Sequence, residues 1–155
     1  MTLQQVIKLF EVVASQQPSV NMIVQNDIFR LNEKPDARYG AFGWTQGQHS
    51  ASSDSSLFNY SFTFFYVDRL KHDLSNQIEV QSVGIQTLDN ILRELDELGI
   101  YISSTYSFQT FNQRFVDECA GVFCTVTLQT PVLNLCSESF ADFLEADFNE
   151  DFMIF

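Results

Sequence analysis

The sequence predicts an α+β domain, a mainly antiparallel β-sheet packed by two helices at about residues 2–16 and 86–98. Three observations carry that expectation. A 3.6-residue apolar period opens the chain and recurs over 88–98. Phe58, Tyr60, Phe62, Phe64 and Tyr66 fall on every second position, the period of a strand with one buried side. The other strand-like runs follow one another without regular alternation of strands and helices, which favours an antiparallel sheet over a parallel one.

Taken in order, Leu3, Val6, Ile7, Phe10, Val13 and Ala14 make one helical stripe. Thr2 and Gln5 give a capping-box pattern at its start, and Pro18 limits its end. Val20 to Asn32 reads as a strand, or a strand pair about Asn26-Asp27, and a turn-rich link leads to a short strand over 41–46. Residues 47–56, GQHSASSDSS, have the composition of a loop. After the aromatic strand (58–67), Ile78 and Val80 alternate within 77–83, which reads as a second strand and makes 58–83 a hairpin around a nine-residue loop. Leu88, Ile91, Leu92, Leu95 and Leu98 then form the stripe of the second helix, with Gly99 suited to the position just past its end. Two more strands are expected, over 100–108 and over 122–130, the latter with Val122, Cys124, Val126 and Leu128 on one side and Pro131 as its limit.

A chain of 155 residues suits one domain, which buries about 70% of its unfolded surface. Sixteen Phe and five Tyr make an aromatic-built core or interface. Eight Lys and Arg stand against twenty Asp and Glu, a net charge of −12. That balance argues against gripping nucleic acid, which needs Lys and Arg to displace counterions. Cys119, Cys124 and Cys136 have no C-x-x-C spacing and read as small buried apolar groups in a reducing compartment. No apolar run has the length of a membrane span, and the first residues lack the pattern of a signal peptide. Residues 1–136 are expected to form the domain. Residues 137–155 hold six acids and no base, interleaved with Phe140, Phe143, Phe148, Phe152 and Phe155. This segment reads as an arm that docks on another subunit, the alternative being that it packs back on its own domain.

Asp68, His72 and Asp73, with Glu79 nearby, are the candidates for a metal or acid–base site. Against that stands the turn reading, in which Asp and Asn bond their own backbone where the strand leaves the sheet. The turn reading is favoured, because no recognised ligand spacing is present. His49 and His72 lie in loop-like segments without an evident orienting partner, and neither a nucleophile elbow nor a phosphate-cradling glycine loop occurs. No enzymatic activity and no cofactor are expected. Glu94, Asp96 and Glu97 crowd the end of the second helix, where the dipole disfavours negative charge. They suit a solvated face, or one turned to a basic partner or to a passage that repels DNA.

The order of elements is specific. TLQQVIKLFEVVASQQPSVN, YVDRLKHDLSNQIEVQS, TLDNILRELDEL and FNQRFVDECAGVFCTVTLQTPVLNLC follow in turn, and the most distinctive pieces are D-R-L-x-x-D-x-x-N and F-x-D-x-C-A-G-V. Over residues 1–136 the chain resembles a family of proteins from Bacteroides phages and prophages, crAss-like phages included. The resemblance implies a virion protein of the head–tail junction, similar in fold to tail terminators: a neck-ring subunit that binds copies of itself in twelve- or six-fold rings. Its other partners would be the portal and further connector or tail proteins. Genomic DNA would pass without specific binding, and no membrane is involved. On that reading Asp68, Arg69, His72, Asp73 and Asn76 form an interface loop, and Glu94, Asp96 and Glu97 an acidic channel or partner face. The alternatives are a tail terminator or tail-completion protein of a long-tailed phage, a small acidic protein that mimics DNA charge, and a metal-dependent enzyme using Asp68, His72 and Asp73.

Overall fold

The aromatic row is a 13-residue strand, and the rest of the sheet is arranged around it. The computed structural model describes residues 1–28, 38–52, 54, 56–103, 105–114, 118–131 and 153–154. Its elements run α1 (Leu3–Ser15), β1 (Met22–Gln25), β2 (Ala41–Gln46), β3 (Ser50–Ala51), β4 (Leu57–Arg69), α2 (Gln77–Glu97), β5 (Tyr101–Ile102), β6 (Phe108–Arg114), β7 (Glu118–Pro131) and β8 (Met153–Ile154). The eight strands form one sheet in the order β5-β7-β4-β2-β1-β8, with β3 beside β4 and β6 beside β7. β4 pairs antiparallel with β7 along its whole length, from Leu57↔Pro131 to Arg69↔Cys119. The β1–β2 and β1–β8 pairs are parallel and the others antiparallel. The fold is α+β, as the sequence predicts.

Both helices lie on the same face of the sheet. Phe10 of α1 stands edge-on to Trp44, Phe62 and Phe64, with ring centroids 5.5, 4.9 and 4.8 Å away. Leu88, Ile91, Leu92 and Leu95 of α2 complete that core against Tyr60, Tyr66, Val122, Cys124, Val126 and Leu128. Edge-on rings add about 0.5–1.5 kcal/mol per pair to the area they bury, which is why a row of aromatics packs better here than a row of leucines. On the second face, among the described residues, the buried apolar cluster lies near one end of β4, where Met22, Val24, Ala41, Phe65, Val67 and Cys119 are buried together. There Phe65 lies against its cross-strand partner Gly43, and Phe111 against Gly121. A Cβ on Gly43 would stand 2.4 Å from the Phe65 ring, so the glycine is what lets the ring lie down on the sheet.

Local signals explain the helix ends. The Thr2–Gln5 capping box is present, with Gln5 N–H donating to Thr2 Oγ1 at 3.2 Å and Thr2 N–H to Gln5 Oε1 at 2.8 Å. α2 stops at a Schellman turn: Gly99 has φ 88°, its N–H donates to Asp96 O, and Ile100 N–H donates to Leu95 O.

Several boundaries differ from the sequence expectation. Residues 77–83 are not a strand but the first two turns of α2, so β4 leads into a helix and not a hairpin. Ile78 and Val80 suggested alternation, yet Val80, Gly84, Thr87, Leu88, Ile91, Leu92 and Leu95 are the buried set, and that is a helical period. Gly84 lies inside α2 and is buried. Its role is contact: a Cβ there would come within 2.9 Å of Val122 and 3.0 Å of Tyr66, so the glycine brings α2 down onto the sheet. The expected strand over 100–108 is β5 followed by a break, and the longer β6 begins only at Phe108. The 47–56 segment holds the short β3, and β1 ends where Asn26 takes φ 71°. Cys119 and Cys124 are buried, and burial pushes the Cys124 thiol up to about 11.

Candidate functional site

Where β4 leaves the sheet, the run Asp68–Asn76 closes on itself. Asp68 Oδ1 accepts the N–H of Arg69 at 2.7 Å and of Gly40 at 3.4 Å. Asn76 holds the loop at both ends: its Oδ1 accepts Lys71 N–H at 2.7 Å and its Nδ2 donates to Arg69 O at 3.2 Å. Asp73 Oδ1 accepts Ser75 N–H at 3.1 Å in an Asx turn, and the Ser75 hydroxyl together with that N–H lowers the Asp73 pKa. Leu70 N–H donates to Glu118 O at 2.9 Å, tying the loop to the start of β7. The Arg69 guanidinium sits 4.9 Å from the centre of the Tyr39 ring. The polar residues are spent on backbone, which is the turn reading. Among the described residues no three His, Cys, Asp or Glu side chains converge as metal ligands. His72 and Asp73 are exposed, and Glu79 lies in the first turn of α2, where its charge suits the helix dipole.

The neighbouring surface is what the sequence did not indicate. Leu74 is 43% exposed and holds φ 61°, a backbone state that a bulky non-glycine residue adopts only at a cost of order 1–3 kcal/mol. Ile78, one turn later, is 75% exposed, and Ile85, two turns beyond it, is 36% exposed. Ile78 and Ile85 are seven apart and so share one side of α2. The start of α2 therefore carries an apolar stripe towards solvent beside a polar loop closed by its own hydrogen bonds.

Glu94, Asp96 and Glu97 lie at the other end of α2. That helix has 21 residues, which at ~1.5 Å each separates the two sets by about 30 Å. Glu94 is half-buried and accepts Gln17 Nε2 at 2.8 Å, whereas Asp96 and Glu97 are exposed. The acidic group and the loop are thus two separate surfaces. His49, weighed above as a catalytic histidine, is held against β4. Its Nδ1 accepts Ser61 N–H at 3.2 Å, and its ring packs 5.4 Å from those of Tyr60 and Phe62. Tyr66, buried at the same end of β4 as the loop, donates to Ser19 O at 3.2 Å, and Ser19 Oγ lies 2.6 Å from Thr87 Oγ1. Burial, with the Asp68 carboxylate beside it, raises the Tyr66 pKa. Asp89 is held by Arg93 at 2.7 Å and by the Tyr106 hydroxyl at 2.8 Å.

Phe140, Phe143, Phe148, Phe152 and Phe155 lie outside the described residues. Met153 and Ile154 are described, and they pair in parallel with Met22 and Ile23 of the same chain. The end of the expected arm thus adds a strand to its own sheet, the docking-back alternative for those two residues. Comparison with protein-family models and with curated proteins finds no match to the chain.

Proposed function

We propose that the protein is a structural subunit of a phage head–tail connector, assembling with copies of itself into a ring on the portal through which the genome passes. The observation that carries this reading is the exposed apolar stripe of Leu74, Ile78 and Ile85 beside the closed 68–76 loop. A loop whose carboxylates and amide are committed to its own backbone presents a fixed shape, and a fixed shape next to exposed isoleucines suits a repeated protein contact. The occupant is a second copy of the chain, related by rotation so that Asp68, Arg69, His72, Asp73 and Asn76 of each copy rim the stripe. Asp96 and Glu97, about 30 Å away along α2, are exposed acids; turned to a central channel, they would let a DNA duplex slide because they offer it no counter-charge. The sequence resemblance over 1–136 supports the same reading, as does the α+β architecture.

Native mass spectrometry and electron microscopy of the purified full chain test it. The expected result is a closed ring of defined copy number. A chain that stays monomeric at every concentration, alone and with a portal, overturns the ring and leaves the small acidic binding protein as the better account.

A further inference from the structure

Among the described residues, the sheet ends on one side in a strand whose outer edge no other element flanks. There β6 pairs with β7, in a register from Phe108↔Cys124 to Arg114↔Glu118. Two hydrogen bonds fix which way its backbone groups turn. Leu70 N–H donates to Glu118 O, so the even-numbered residues of β7 turn their N–H and C=O towards β4. Ser103 N–H donates to Thr127 O, so its odd-numbered residues turn the other way, towards β5 and β6. In the β6–β7 register, Gln109, Phe111 and Gln113 face those odd residues and are bonded to them. Phe108, Thr110, Asn112 and Arg114 therefore point N–H and C=O outward.

The sequence of β6 carries few of the devices that keep edge strands from pairing, Arg114 being its one charged residue. β6 is seven residues long, with neither Pro nor Lys. Gln109, Thr110 and Asn112 are exposed. The chain carries twenty acids, yet none falls between Leu98 and Val116. Two copies that each bear a net charge of −12 meet with least repulsion where both are free of acids.

We propose that β6 is a strand-docking edge whose partner is β6 of a second copy, the two strands running antiparallel. Antiparallel pairing about Phe111 sets Thr110 opposite Asn112 of the partner and Phe108 opposite Arg114, so all four outward-facing residues gain a donor and an acceptor. A two-fold axis normal to the sheet then carries one continuous sheet through both copies, with all helices on one side. This isologous contact goes beyond the ring reading, because the rotation that closes a ring uses a different surface.

The test is made on the Ile78→Asp chain, from which the ring contact has been removed. Amide hydrogen exchange by NMR is followed from dilute to concentrated protein. Thr110 and Asn112 should gain at least tenfold protection as concentration rises, while Gln109 and Phe111 stay protected throughout. Thr110→Pro removes only an outward-facing N–H, which an edge strand tolerates. It should weaken self-association at least tenfold in sedimentation equilibrium with the far-ultraviolet circular dichroism unchanged. Thr110 and Asn112 amides that exchange equally fast at all concentrations overturn the proposal, as does a monomer at every concentration. If Thr110→Pro fails to fold, the exchange measurement on the parent still decides.

Discussion

The two sides of β4 are built from adjacent residues and do different work. Its even positions, from Phe58 to Tyr66, lie under both helices and make an edge-on aromatic core. After Leu57 at the strand's start, its odd positions are Asn59, Ser61 and Thr63, half-buried and polar, and turn apolar again at Phe65 and Val67. One side is held by volume, with large rings interdigitating beneath two helices. The other is held by close approach, with rings laid on glycines. A strand with two such sides makes a rigid plate, and its end is where the closed loop and the exposed stripe of α2 are mounted.

Truncation separates the two sides most strongly. Phe64→Ala should cost about 3–5 kcal/mol, because it empties a fully buried site between Phe10 and Phe42. Its neighbour Thr63→Ala gives up only a 3.1 Å contact with Thr125 on an exposed patch and should cost under about 1 kcal/mol. Urea unfolding of both variants reads the difference, and equal losses would mean that the helix-covered side is not the principal core.

Filling probes the other side. Gly43→Ala places a Cβ 2.2 Å from Val24 O and 2.4 Å from the Phe65 ring. Overpacking of this kind costs about 1–3 kcal/mol, and truncating Phe65 in the same chain should give only partial relief, because Val24 O is backbone. Full relief would show that the ring alone sets the spacing.

Asn76→Ala, which removes two bonds from the loop, should lower stability by only about 1 kcal/mol, while faster amide exchange at Lys71 reports the loosened turn.

The smallest effects are those of pH. Burial and the bond to Asp89 push the Tyr106 hydroxyl up to about 12, and Tyr66 is raised as well. The protonated phenols are the favoured folded forms, so their contribution is complete below about pH 10, the value of a free tyrosine, and is lost as pH climbs towards 12. The Arg93 bond lowers the Asp89 pKa, so its contribution is present above about pH 4 and is lost as pH falls below that. Burial raises Tyr60 too, so tyrosinate absorbance and urea midpoints across pH should show three late-titrating tyrosines whose ionisation coincides with unfolding. All five ionising together near pH 10 in the folded chain would contradict this.

What the sequence disclosed follows from periods and caps. The aromatic row, the helix-one stripe, the Thr2–Gln5 box and the glycine past the second helix are local patterns, and each is where the pattern put it. The failures came from tertiary context. Ile78 is apolar and exposed, so it corrupted the period that would have revealed the first turns of α2. Gly84 sits inside α2 where Val122 and Tyr66 approach closely, a contact that no local pattern shows. The polar residues of D-R-L-x-x-D-x-x-N were recognisable as a cluster, and the turn reading of them followed from residue type. The strained backbone of Leu74 and the outward N–H groups of β6 had no sequence signal, since both depend on register and on what lies beside them.

The central claim is that the aromatic row is spent inside the subunit while the head of α2 joins one subunit to the next. Ile78→Asp tests it most directly, measured by native mass and thermal melting beside the unchanged chain. Ile78 is 75% exposed, so the account predicts loss of the ring with the melting temperature held within a few degrees. A ring that persists in Ile78→Asp, or a variant that melts far earlier as an isolated subunit, would contradict it.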